Sequence, residues 1–209
     1  MSSEFSHEIR PTVIPNGWRA FSFRRDDKNF LPFYQRVLDR DKHTCYYCGF
    51  KAKKYMEVVN LDGNYFNNIL TNLVTSCGFC SQCFFLEVVG KYDNSGGRMI
   101  YLPEISQVNL NGLCHVLFCA IANSTDYLLE AQEVYKFFKS RAKMVENFLG
   151  QGMSDPSLLG NMLLNEQAKV RQKIQKEIFD SVRLLPSYSS FRTQVDRLFD
   201  EAMKGTLFT

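Results

Sequence analysis

Cys45-Tyr46-Tyr47-Cys48 and Cys77-Gly78-Phe79-Cys80 are two cysteine pairs of identical spacing, separated by 28 residues. Two cysteines three positions apart in a tight turn grip a metal from one side, with backbone amides hydrogen-bonding the sulfurs, and a second such turn closes a tetrahedron. The pattern predicts one structural Zn2+ held by Cys45, Cys48, Cys77 and Cys80. Four thiolates leave no open position for water, so such an ion holds structure and does no chemistry. Cys80-Ser81-Gln82-Cys83 is an overlapping alternative for the second turn. Gly78 directly after a cysteine suits a tight turn and favours the Cys77–Cys80 register, which makes Cys83, Cys114 and Cys119 small core residues. His43 and His115 read as ordinary histidines: His115 lies in an apolar stretch, where a lone imidazole is usually a hydrogen-bonded core group.

Working outward, the 209 residues, 45% hydrophobic, suffice for one sizeable core or for a small domain fused to a larger one. The 18 Phe and 10 Tyr exceed what a minimal zinc module needs and imply a large core or aromatic surface left for a partner. Seven cysteines, four of them in the two pairs, point to metal binding in a reducing compartment rather than a disulfide framework. The first residues lack a basic segment followed by an apolar one, and the longest apolar stretch, Leu113 to Ala122, is half the ~20 residues a membrane span needs. A cytoplasmic protein is therefore expected. Once four thiolates and a divalent cation are counted, the formal charge of +3 falls to about +1, which gives nucleic-acid binding no support.

Residues 1–28, with Pro11, Pro15 and Gly17 and a mixed-sign end at Arg24-Arg25-Asp26-Asp27-Lys28, read as an irregular arm. Phe33, Val37 and Leu38 have helical spacing and place a short helix before the first cysteine pair. Phe84 to Tyr92 and Arg98 to Leu102 are β-prone and flank Asp93-Asn94-Ser95-Gly96-Gly97, which predicts a hairpin. Beyond Pro103, a helix from about Ser106 to Asn123 has an apolar run that predicts burial on nearly all sides. The next, capped by Ser124 or Thr125, carries Leu128, Ala131, Tyr135, Phe138, Ala142, Val145 and Leu149 up to Gly150. A third starts at Asp155-Pro156 and follows Val170, Ile174, Ile178, Val182 and Leu185 to Pro186. The last, capped by Ser189 or Ser190, runs from Phe191 to Met203. The expected fold class is α+β and mostly helical: a four-cysteine zinc module and hairpin over residues 29–103, with about four helices over residues 104–209 packed on it.

Residues from about 30 to 85 resemble the zinc-supported HNH (ββα-metal, treble-clef type) endonucleases. The match rests on Arg36-Val-Leu-Asp-Arg-Asp41-Lys-His-Thr-Cys45-Tyr-Tyr-Cys48-Gly49, then Glu57-Val-Val-Asn-Leu61, then Asn72-Leu-Val-Thr-Ser-Cys77-Gly-Phe-Cys80. In that family the central strand has an Asp that binds the catalytic metal and a His that activates water. Val59 and Asn60 stand there, and Ser81 stands where a further histidine ligand is found near the last cysteine. An amide cannot take a proton from water and valine cannot bind a cation, so the resemblance implies the scaffold without its catalysis. Asn72 matches the family's Asn.

Over its whole length the chain resembles a family of cytoplasmic components of the Dot/Icm type IV secretion apparatus. That implies a non-enzymatic adaptor in the coupling complex, held at the inner membrane only through its partners. It would bind the cytoplasmic tail of the coupling ATPase DotL, beside DotM and the adaptors IcmS and IcmW, and support effector recruitment. A competing expectation is a nucleic-acid-binding zinc module in which Lys51, Lys53 and Lys54 touch phosphates. Against it, three lysines beside a doubly negative zinc–thiolate centre are expected on local electrostatics alone. The weakest is an active nuclease using Glu57, Asp62 or Asn67 as substitutes. No motif marks the partner-binding residues.

Overall fold

A computed structural model describes residues 7–92 and 95–203. The first helix, α1 (Gly17–Arg25), turns Phe21 and Arg24 inward. It corrects the expected irregular arm over 1–28, of which residues 1–6 lie outside the described residues. Pro15 and Gly17 stand before and at the first turn, where no intrahelical N–H is called for, and residues three apart put a narrow face on the core. Helix α2 (Leu31–Arg40) takes Pro32 in its first turn and buries Val37 and Leu38. At its end the Arg40 guanidinium donates to Asp41 Oδ1 at 2.7 Å and to the Leu73 carbonyl at 2.6 Å, while Asp41 Oδ2 accepts from the Thr75 N–H at 2.9 Å. These contacts seat α2 on an antiparallel pair, β1 (Met56–Asn60) and β2 (Leu73–Cys77), with Met56 opposite Cys77 and Asn60 opposite Leu73. A single helical turn, α3 (Gly78–Ser81), follows at once.

The expected hairpin after the second cysteine pair does not form. Gln82–Phe84 and Leu86–Val88 are short 3-10 turns, and β3 (Gly97–Tyr101) pairs with a segment near the other end of the chain. Phe85, Leu86 and Val89 are apolar because they are core residues, a role a compact turn fills as well as a strand does. Asp93 and Asn94, the first two residues of the expected turn, lie outside the described residues.

Helix α4 (Gln107–Ala122) is capped by the Ser106 hydroxyl, which accepts from the Asn109 N–H. It is buried on one face only, since Val116 is exposed on the other. The single long helix expected after it is two, α5 (Leu128–Ser140) and α6 (Ala142–Leu149). They break at Arg141, whose guanidinium donates to Glu104 at 2.7 Å and whose carbonyl accepts from Tyr101 N. Helix α7 (Pro156–Asn165) starts under an Asp155 cap, and α8 (Ala168–Ile178) ends well before Pro186. Val182 to Pro186, expected to be helical, is strand β4 (Val182–Pro186), buried at all five positions. A short run with no exposed face cannot be assigned by periodicity, and here the partner strand decides. Gly97 lets the two strands close: a Cβ there would lie 2.5 Å from the Leu185 carbonyl oxygen. The last helix is α9 (Tyr188–Met203); Ser187, rather than Ser189 or Ser190, accepts at its start from the Phe191 and Ser190 N–H groups. Six helices, α4 to α9, thus stand where about four are expected.

The result is α+β and mostly helical, with two separate two-stranded sheets among the described residues. Their side chains share one contiguous core running from Ile9 to Phe191. Helix α4 lies between the sheets, packing on α5, α9 and β4 and touching α3.

Candidate metal centre

The structure brings Cys45, Cys48, Cys77 and Cys80 together, their sulfurs all within 4.8 Å of one another. The first pair sits in a turn closed by Cys45 N–H to the Phe50 carbonyl at 2.8 Å and Gly49 N–H to the Cys45 carbonyl at 3.0 Å. Gly49 completes that turn at φ +73°, a conformation glycine adopts without strain. Tyr46 N–H to the Thr75 carbonyl, 2.8 Å, fastens it to β2, whose last residue is Cys77. Gly78 is helical rather than part of a left-handed turn. What its missing side chain allows is the approach of the Phe191 ring, 3.2 Å from where a Cβ would stand.

The donor set fits a tetrahedral thiolate site. Bonds of ~2.3 Å from zinc to sulfur place the sulfurs about 3.8 Å apart, and Cys48 and Cys77 are separated by 3.6 Å. Charge points the same way. Burial alone would raise the Cys45 thiol, but hydrogen bonds from Cys48, Cys77 and Cys80 outweigh it and hold Cys45 low. Burial and the neighbouring sulfurs then push Cys77 and Cys80 well up. One thiolate is stabilised by its neighbours and further ones are repelled, so four thiolates together would need a cation among them.

Cys83 stands outside this cluster, its S–H donating to the Phe79 carbonyl at 3.4 Å, and burial pushes its thiol up to about 12. Cys114 is buried without joining the cluster and Cys119 is exposed.

Sequence reading missed the support behind the sulfurs. His115 Nε2 lies 3.3 Å from Cys77 Sγ, and its ring is stacked between Phe50, 3.7 Å away, and Phe79, 4.1 Å away. Burial pulls its pKa down to about 3, so the imidazole is neutral, and its Nε2–H tautomer would donate to sulfur. Asn111 Nδ2 donates to Cys80 Sγ at 3.3 Å and to the Phe79 carbonyl at 3.3 Å. Both residues belong to α4, so the helix is pinned to the cysteine cluster through its donors. Two polar residues four apart inside an apolar helical run were the available signal.

The remaining candidates are dispersed. Asn60 Nδ2 donates to the Asn64 and Asn67 carbonyls at 2.9 and 2.7 Å, and Asn60 Oδ1 accepts from the Arg24 guanidinium. Asp62 accepts from Asn64 N, Asn67 Nδ2 and Asn72 Nδ2, shaping the loop between β1 and β2. Val59 is buried, Ser81 donates to the Gly78 carbonyl, and Glu57 is half-buried on β1. His43 lies 3.6 Å from Asp39, away from the sulfurs. Among the described residues only the four cysteines group as a metal site. Of the three lysines, Lys54 pairs with Glu201 at 2.5 Å.

No family model matches the chain. It is 45% identical over 197 residues to a Legionella pneumophila protein described as Type 4 apparatus protein DotN, an alignment covering 94% of this chain and 92% of that protein. The chain belongs to the DotN family. Among its described residues no helix is long and apolar enough to cross a membrane.

Proposed function

We propose that this chain is a non-enzymatic structural subunit of a type IV secretion apparatus, built on an HNH-like zinc module that has exchanged catalysis for scaffolding. The observation that carries the reading is the state of Asn60. At the position of the family's catalytic histidine, both ends of its amide are engaged, by two loop carbonyls and by a buried guanidinium from α1. An amide held in this way has no basic lone pair with which to take a proton from water, and Val59 beside it has no ligand atom. Zn2+ in the thiolate shell would be structural, with Cys45, Cys48, Cys77 and Cys80 as ligands.

The name of its relative supports membership in the type IV apparatus. The role proposed within it is to bind the cytoplasmic tail of the coupling ATPase, DotL in the Dot/Icm system, in a complex with DotM, IcmS and IcmW. Exposed Phe23, Phe66, Tyr127, Phe137 and Phe148 are apolar surface such a tail would cover. Titration calorimetry with the purified tail tests this: micromolar or tighter binding that changes little between low and high salt is expected, as apolar contact dictates. Absence of binding ends the adaptor reading. Steeply salt-dependent binding to DNA, or metal-dependent plasmid nicking lost on Asn60→Ala, replaces it.

A further inference from the structure

Between α1, the start of α2 and the loop after β1 lies a groove of about 800 Å3. Phe23, Phe33 and Phe66 line it; Phe23 and Phe66 are 67% and 81% exposed. Arg24 also lines it, though only 7% exposed. Its guanidinium stacks over Phe30, 4.4 Å from the ring centroid, and lies 5.2 Å from that of Tyr65. Among the described residues its hydrogen bonds all go to neutral acceptors: Nη1 to Asn60 Oδ1 and to Asn68 Oδ1 at 3.1 Å, and Nη2 to the Val58 carbonyl at 2.5 Å. A guanidinium carries five N–H donors, so two, on Nε and Nη2, have no partner among the described residues.

A buried cation without a carboxylate is costly, because desolvation is repaid only by an opposite charge in contact. Burial accordingly pulls the Arg24 pKa down to about 10, and Glu57 and Tyr65 offset this only through space. Asp27, the acid lining the groove, is turned to the Asn29 N–H at 2.9 Å. Arg19 adds a second cation on the wall, over the Phe23 ring. The groove therefore combines exposed aromatic rings with a positive charge beneath them that no carboxylate touches among the described residues.

We propose that this groove docks a peptide segment of another protein in which an aspartate or glutamate lies within about two residues of an aromatic or large aliphatic side chain. The apolar side chain lies among Phe23, Phe33 and Phe66, and the carboxylate takes the two open donors of Arg24. This deepens the binding-subunit reading by specifying the chemistry of the bound segment.

The test uses the full-length, zinc-loaded protein and a phage-displayed random heptapeptide library. Wild type is expected to enrich peptides with an acid next to an apolar anchor. Synthesised, these bind wild type, and bind Phe23→Ser/Phe66→Ser at least tenfold more weakly. Both substitutions fall on exposed rings, so the variant keeps the wild-type circular dichroism. Arg24→Gln weakens binding similarly; because that change touches a buried network, the paired test replaces the acid of the peptide by its amide, with the same tenfold loss expected. No enrichment over an empty support, enriched peptides without an acid, or binding indifferent to the double variant overturns the proposal. So does groove-dependent binding to phosphatidylglycerol vesicles with no peptide enriched, which makes the surface a lipid contact. The library does not involve the ATPase tail, so a tail that fails to bind counts against the adaptor reading and a failed enrichment against the groove.

Discussion

The molecule contains two antiparallel strand pairs of equal length, and they are built in opposite ways. Between Asn60 and Leu73 the first closes a loop of 12 residues, and its far end carries Cys77 of the cysteine cluster. The second joins Tyr101 to Val182 across 80 residues, and is held by its ladder and by apolar packing, with Met99, Ile100, Leu184 and Leu185 all buried. Loop-closure entropy makes the longer closure dearer by roughly 2 kcal/mol, a sum that burial of one or two aliphatic side chains offsets. The first pair is as deeply buried, with Met56, Val58, Val59, Leu73 and Val74 in the core, but its loop is polar around Asp62 and Asn64 and its far end belongs to the cysteine cluster. A local closure tied to the cysteine cluster and a remote closure that has only apolar burial and its ladder should therefore fail under different perturbations.

Cys80→Ser should break the comparison most severely. Loss of one thiolate is expected to drop zinc content to well under half an equivalent. Structural zinc is worth about 10–16 kcal/mol in isolated finger peptides, as much as the whole stability of a typical domain. Hydrogen exchange by mass spectrometry should show β1 and β2 amides losing protection first, with β3 and β4 retaining more. Uniform loss across both pairs would show that the cluster and the second sheet form one cooperative unit.

Phe79→Ala probes the join from the other side and should cost about 3–5 kcal/mol, as for a buried ring replaced by a void. Phe79 packs edge-on against Phe118 of α4 and Phe191 of α9, with centroids at 5.4 and 4.7 Å, and face-on against His115. Its removal leaves the four sulfurs untouched, so zinc should stay near one equivalent while the melting temperature falls by roughly 10 °C. Metal loss in step with the unfolding of α4 would instead place the His115 and Asn111 contacts among the terms that hold the ion.

This contrast also explains which parts of the fold could be read in advance. Cys45, Cys48, Cys77 and Cys80 were legible because spacing within a turn encodes which atoms can meet, and the structure does bring them together. Strand β4 was not: Val182 and Leu185 continue the helical period of Val170, Ile174 and Ile178, and nothing local shows that Gly97 to Tyr101 awaits them. Likewise, the turn chemistry at 93–97 announced a hairpin although the partner lay elsewhere. Helix α1 was hidden because the only side chains it buries fully are Phe21 and Arg24, and one is a cation. Arg24 and His115 became visible as parts of a site only when the fold set them beside Asn60 and Cys77.

The smallest expected effect tests the join between the two sheets through a single proton. Glu87 lies in the Leu86–Val88 turn, 8% exposed, with Oε2 buried and unpartnered. Helix α7 presses on that turn so closely that a Cβ on Gly160 would come within 2.5 Å of the Glu87 nitrogen. Burial pushes the carboxyl pKa up from an ordinary 4.5 to about 7, against smaller opposing effects of the backbone and Lys91. Between those two values the folded chain keeps a proton that the unfolded chain has released. Stability therefore declines as pH rises through this window and stays low above it. An uncharged amide of the same shape escapes the penalty, so Glu87→Gln should be more stable than wild type by about 1–3 kcal/mol at pH 8. The gap should narrow by about 1 kcal/mol at pH 6, a pH chosen because stronger acid would protonate the thiolates and release the metal. Urea denaturation of both proteins at the two pH values measures it. A gap that is constant with pH, or that widens toward acid, would mean that Glu87 is charged in the folded chain, with a counter-charge in reach.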